Sequence, residues 1–249
     1  MRKLGLATLV ALVALAVPQA RADDEAIKVI KAGIKAHGGE EALKKNMAGD
    51  YKMKGSMTIF GMDLEYTGSI VYQLPDQFKM TIDTSVVGQK MSIVQVGNGD
   101  KFKSTLNGAA QKLDDKTTDE LRQGAATQEI SMLYPLLNKE KYTIKAGKDA
   151  KIADVDCGSV VVEGKKTKTM TLYFDKKTGL LHATTRKSLT PGGDEVEEET
   201  VMTDYKEVDG VKHPMKFLVK HDGKTFMSTT VTEAKLIAKL DPKVFAVDE

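Results

Sequence analysis

Residues 170–181 read MTLYFDKKTGLL: an alternating apolar strand, a charged turn closed by glycine, and the start of a second strand. The same phrase returns at 205–217, YKEVDGVKHPMKF, and at 219–227, VKHDGKTFM. In the first, Met170, Leu172 and Phe174 fall opposite Thr169, Thr171 and Tyr173, the period of a half-buried strand. Asp209-Gly210 and Asp222-Gly223 are the dipeptides that two-residue hairpin loops favour, because both central residues need positive φ. Hairpin following hairpin is an antiparallel meander.

Working toward the N-terminus, the period of two persists. Tyr51, Met53, Gly55, Met57 and Ile59 alternate with Lys52, Lys54, Ser56 and Thr58. After a turn at Gly61-Met62-Asp63, Leu64, Tyr66, Gly68, Ile70 and Tyr72 take over the apolar positions. Phe78, Met80 and Ile82 mark a third strand, Met91, Ile93, Val94 and Val96 a fourth, and Phe102 a fifth. Further strands are expected at 142–144, 157–163, 180–188, 200–207, 211–220 and 225–236. The acidic stretch 191–199 reads as a solvated hairpin end.

Two segments break the pattern. Ala26, Ile27, Ile30, Gly33 and Ile34 share one side of a helix that His37-Gly38-Gly39 interrupts, and Glu40 to Lys45 restarts a short turn. Between residues 109 and 138, Leu121, Ala125, Ile130, Leu133 and Leu137 recur at helical intervals behind a capping box, Thr117 with Glu120. An amphipathic helix lying between strands covers an open sheet face. The fold class is mainly β with covering helices (α+β). It is a single large curved antiparallel sheet forming an open half-barrel, with about 10–12 strands and 2–3 helices expected.

The N-terminus is of a different kind. Arg2 and Lys3 precede an apolar run from Leu4 to Val17, and Ala20-Arg21-Ala22 stands ahead of acidic Asp23. That is the layout of a secretory signal peptide over residues 1–22, too short to span a membrane as a helix. Residues 23–249 then form one exported, periplasm-like domain that is soluble after cleavage. Loss of Arg2, Lys3 and Arg21 from the 37 basic residues leaves 34 against 35 acidic ones, so nothing steers a polyanion and nucleic acid is not expected as a partner. Cys157, the single cysteine, excludes an intrachain disulfide and reads as a buried, inert thiol.

Residues for chemistry are few. HExxH, CxxC, GxGxxG and GxSxG are all absent from the sequence. His37 reads as a helix cap or a solvated residue. His213 and His221, eight apart on one strand, are about 26 Å from each other and cannot share a metal. No metal, no organic cofactor and no catalytic residue are expected. A curved sheet under helices can instead keep an unfilled apolar interior, which accepts lipid or acyl chains. Met53, Met57, Met80, Met91, Met132 and Met170 lie on apolar positions, and unbranched methionine adapts to irregular ligands.

Three segments in order, AIKVIKAGIKAHGGEEALKK, TLYFDKKTGLL and TDYKEVDGVKHPMKFLVK, resemble the LolA-like superfamily of lipoprotein-sorting and carrier proteins of the bacterial envelope. The likeness runs from about Asp24 to Asp248. It implies a half-open barrel whose concave face is covered by helices and holds acyl chains. It puts Tyr66, Ile70, Met80 and Met91 on candidate sheet positions and Leu121, Ile130 and Leu133 on the lid. With Met53 and Met57 these are the candidate apolar ligand-binding residues. Characterised carriers hold the lid with an early-strand arginine. Here the strands through residue 105 carry only lysines such as Lys52, Lys54 and Lys79, which lack the planar fork. The first expectation is a non-enzymatic carrier or binding protein for lipid, acyl chains or lipoproteins, with an envelope protein as a possible transfer partner. Alternatives are a protein-interaction or envelope-stress sensor domain on the same scaffold, and a hydrolase assembled from separate loops.

Overall fold

The computed structural model describes residues 17–59, 61–165 and 167–247, with side chains from residue 24 onward. The apolar run of the export signal lies outside the described residues. Helix α1 (Val17–Ala36) continues through the Ala22–Asp23 junction, and α2 (Glu40–Lys45) follows. The first meander comprises β1 (Ala48–Ile59), β2 (Met62–Gln73), β3 (Gln77–Val86), β4 (Gln89–Asn98), β5 (Lys101–Leu106) and β6 (Ala109–Gln111). Helix α3 (Asp115–Ser131) and a 3-10 turn (Tyr134–Leu137) interrupt it. The second meander comprises β7 (Tyr142–Ala146), β8 (Ala150–Ile152), β9 (Val155–Gly164), β10 (Thr167–Asp175), β11 (Leu181–Leu189), β12 (Glu195–Val208), β13 (Val211–His221) and β14 (Lys224–Ile237).

All fourteen strands form one antiparallel sheet in the order β6-β5-β4-β3-β2-β1-β14-β13-β12-β11-β10-β9-β7, with β8 also on β9. The sequence expectation of ten to twelve omitted the three-residue strands β6 and β8, too short to show a period. The two meanders meet where β1 pairs with β14, from Ala48↔Ile237 to Met57↔Met227. The edges β6 and β7 therefore stand at opposite ends of the sheet although they are neighbours in sequence. The chain between them has to cross a face of the sheet, and α3 does so, touching β4 on one side and β10 and β11 on the other.

Two further expectations are corrected. Helix α3 is capped by Asp114, whose side chain accepts from Thr117 N, and not by Thr117 itself. The acidic loop ends at Asp194, because Glu195 to Glu199 are already β12. There Glu198 and Glu199 alternate faces and pair with Arg186 and Lys220.

The main core lies under α1. Ala26, Ile30 and Ile34 are buried against Tyr142, Ile144, Val160, Val162, Leu172 and Phe174. Each fully buried aliphatic side chain contributes about 1.5–3 kcal/mol. Gly33 lets the helix settle on Phe174: a Cβ there would lie 2.6 Å from the ring. A smaller cluster of Met57, Leu64, Tyr66 and Ile82 fills the bend of the first meander. Cys157 is fully buried, its thiol pKa raised by burial.

At the seam, the strands approach so closely that a Cβ on Gly55 would meet the Ser228 carbonyl at 1.8 Å. Gly55→Ala should therefore destabilise the protein by about 1–3 kcal/mol in urea denaturation, because a backbone atom cannot rotate away. Gly124→Ala, in α3 with open space around it, should stabilise by about 0.5–1 kcal/mol through helix propensity. Equal effects would show that the seam yields to a methyl group.

Candidate functional site

Between the main core and the smaller cluster, the concave face is not filled. A cavity of about 350 Å³ lies under α3. The first meander lines it with Tyr51, Met53, Tyr66, Ile70, Met80 and Ile82. The second adds Thr200, Met202, Phe217, Val219, Met227, Thr229 and Val231, residues spaced by two along each of β12, β13 and β14. The lid contributes Gly124, Thr127, Gln128, Ser131 and Met132. Lys212 is the one lining residue with a fixed charge; it is exposed.

Four of the nine candidate residues, Met53, Tyr66, Ile70 and Met80, come together on this wall. Met57 packs beneath it in the smaller cluster. Ile130 and Leu133 are buried in the main core, and Leu121 stands off the lining. Met91 borders a different hollow, of about 680 Å³, lined chiefly by polar residues such as Lys54, Glu65, Asp83 and Lys90. Most of the sheet residues missed belong to the second half of the chain, with Tyr51 and Ile82 missed in the first. Their signal was present, since Thr200 and Met202, Phe217 and Val219, and Met227, Thr229 and Val231 keep the same period of two.

The lid is held by polar contacts. The Arg186 guanidinium on β11 meets Glu120 of α3 at 2.6 Å and Glu198 at 2.9 Å, and Ser188 donates to Glu120 at 2.9 Å. Gln123 accepts the Lys168 backbone N–H on β10. Toward the first meander, Arg122 lies 3.5 Å from Asp100 and over the Phe102 ring. At the far end Glu129 is buried, taking Lys141 at 2.6 Å and the Tyr142 hydroxyl at 2.8 Å. Burial, and then that carboxylate, raise the Tyr142 pKa. The helix ends at Ser131, and Leu133, φ 61°, follows in a γ-turn closed by Tyr134 N–H to Met132 O. A bulky residue in that region carries strain.

The end of the cavity at His37 and His213 is polar, with the exposed Lys212 beside it. Tyr72, Tyr51 and His213 form a chain, 3.2 Å between the hydroxyls and 3.1 Å from Tyr51 to His213 Nδ1. His213 is reachable because β13 pairs with β14 only from Lys216↔Thr230 onward. Pro214, lacking an N–H, stands at the splay. Burial pushes the His213 pKa down to about 4, with His37 as a further opposing charge. Burial pushes Tyr72 up to about 12. His37 was expected to be a cap or solvated. It caps the Gly33 carbonyl at 2.8 Å, yet it is buried and lines the cavity.

The remaining histidines are engaged elsewhere. His182 Nε2 meets the Ile152 carbonyl at 3.1 Å, and His221 stands 3.5 Å from Glu198 and stacks on Phe226. Ser188 donates to Glu120 and not to a histidine. Among the described residues no cluster of three His, Cys, Asp or Glu is arranged to hold a metal ion, and no helix is long and apolar enough to cross a membrane.

No protein-family model matches the sequence, and no curated protein matches it. Solved structures do match in shape. A LolA superfamily protein from Nitrosomonas europaea superposes with a TM-score of 0.57 at 10% identity, covering 89% of this chain and 97% of that one. A DUF1329 family protein from Desulfovibrio piger gives 0.56 at 9% identity, over 89% and 97%. An outer membrane lipoprotein-sorting protein domain from Vibrio parahaemolyticus gives 0.53 at 10% identity, over 90% and 97%. At such identities the likeness is one of architecture, and in architecture the chain has the LolA-like fold.

Proposed function

We propose that this chain is an exported, non-enzymatic carrier or binding protein that holds an acyl chain of a lipid or lipoprotein beneath α3. The observation that carries this reading is the unfilled cavity of about 350 Å³ with a methionine-rich apolar wall. Protein interiors are close-packed, so a void of this size between two cores is a ligand site by default. Five lining methionines, Met53, Met80, Met132, Met202 and Met227, can follow the bends of a flexible chain. The volume is near the lower end of the range for ligand clefts, about 300–1,000 Å³. It suits one chain, and a bulkier acylated ligand requires the lid to move.

The lid is built for movement. Among the described side chains of α3 only Gln123, Glu129 and Ile130 are buried, so little apolar area holds it down. Arg186 supplies the grip that the early strands lack. Its contact with Glu120 is a charged tether that can part without disturbing the core under α1. The signal-peptide reading of residues 1–22 supports an envelope location, with residues 23–249 as the exported domain.

Native mass spectrometry of the protein purified from its own envelope, followed by lipid extraction, tests the reading directly. A lipid or acylated polypeptide at fixed stoichiometry is expected. Repeated recovery of empty protein that also excludes a fluorescent fatty-acyl probe would sink it. Filling the wall by Ile70→Trp should weaken probe binding at least about tenfold while the thermal midpoint moves by only a few degrees. Glu120→Gln should speed probe release about fivefold, equivalent to about 1 kcal/mol of lid contact. An unchanged release rate would show that the lid does not gate the cavity.

A further inference from the structure

We propose that the cavity is directional, and that its His37–His213 end binds the carbonyl group at the head of the acyl ligand. This rests on the acyl-binding reading above and adds the chemistry of the head. The proton arrangement is decided by counting. If Tyr72 donates to Tyr51 and Tyr51 to His213 Nδ1, every proton in the chain is placed except the one on His213 Nε2. The reverse arrangement leaves the proton of the fully buried Tyr72 hydroxyl without an acceptor, and the His213 Nε2 lone pair without a donor. The first is favoured, since each buried orphan costs about 1–3 kcal/mol.

His213 Nε2–H is then a buried donor with no partner among the described residues, on a side chain that is 7% exposed and lines the cavity. Beside it, His37 Nδ1 must donate to the Gly33 carbonyl, so its Nε2 is an acceptor. The elements packed here bring no carboxylate to the lining, and Lys212 at the rim is exposed. Burial keeps His213 neutral at physiological pH. An acyl carbonyl satisfies the orphan donor without placing an unpaired charge beneath the sheet. The tail then runs from this end along Met53, Met80 and Ile82 under the lid. The carbonyl belongs either to an ester of a larger lipid or to a free fatty acid.

The test compares methyl oleate, oleic acid and 1-octadecene as competitors of a fluorescent polyene fatty acid on the intact exported protein. The wild type should prefer a carbonyl-bearing ligand over octadecene by about tenfold, the worth of one buried hydrogen bond. Tighter binding of methyl oleate assigns the head to an ester, and tighter binding of oleic acid to a free acid. His213→Phe should abolish the preference and leave octadecene unaffected, whereas His213→Gln, which keeps an N–H donor, should retain part of it. Imidazole nitrogen NMR of the wild type should show the Nε2–H tautomer, with its resonance shifting on addition of methyl oleate and not of octadecene. Equal affinities for all three ligands, or an Nδ1–H tautomer, would overturn the proposal and leave the acyl-binding reading standing. Exclusion of all three, octadecene included, would remove both.

Discussion

The pairing of β1 with β14 is the constraint on which the rest depends. Each meander alone is a local object, its strands joined by tight turns. The seam from Ala48↔Ile237 to Met57↔Met227 joins them into one sheet and, in doing so, sends β6 and β7 to opposite edges. The chain from residue 112 to residue 141 then has to cross one face of the sheet or the other. A crossing is a topological consequence of the seam, and α3 makes it over the cavity as a lid. What the sequence selects is how firmly that lid is held.

It is held by charge and hydrogen bonds more than by apolar area. Helix α1 buries Ala26, Ile30 and Ile34 against the second meander. Helix α3 presents Gly124, Thr127, Gln128 and Ser131 to the cavity and grips the rims through Glu120, Gln123 and Glu129. A tight apolar lid would have closed the space, because side chains interdigitate until voids vanish. Small and polar lid residues leave the sheet's methionines facing empty volume. The division of labour between a helix packed into the core and one fastened at its rims is what leaves the cavity open.

The sheet was legible because period-two alternation and Asp-Gly turns are local signals that survive in any environment. Short strands such as β6 and β8 carried no period and were not. On the wall of the cavity, Met53, Tyr66, Ile70 and Met80 could be chosen from the apolar parity of their strands. That parity does not say which apolar residues face a void and which face a neighbour, so Met57 belongs to a packed cluster and Ile130 to the core. Arg186 was beyond reach for another reason. It lies 66 residues from Glu120 in a separate meander, and only the crossing of α3 brings them together. His37 and His213 line one cavity because α1 docks beside the start of β13, equally invisible to a local reading.

Those two histidines show why a polar end belongs in an otherwise apolar container. Apolar contact scales with area, about 25 cal/mol per Å², and has no direction, so a methionine-lined space accepts a chain either way round. One buried donor breaks the symmetry. Its hydrogen bond is modest in strength, but leaving it unmade is costly, and the reversed ligand would bury its own carbonyl among methionines as well. In the proposed acyl-binding protein, the His37–His213 end would therefore set the orientation of the ligand and α3 its access. Affinity, direction and access would then rest on different elements, and each could change by substitution without unfolding the seam that holds them together.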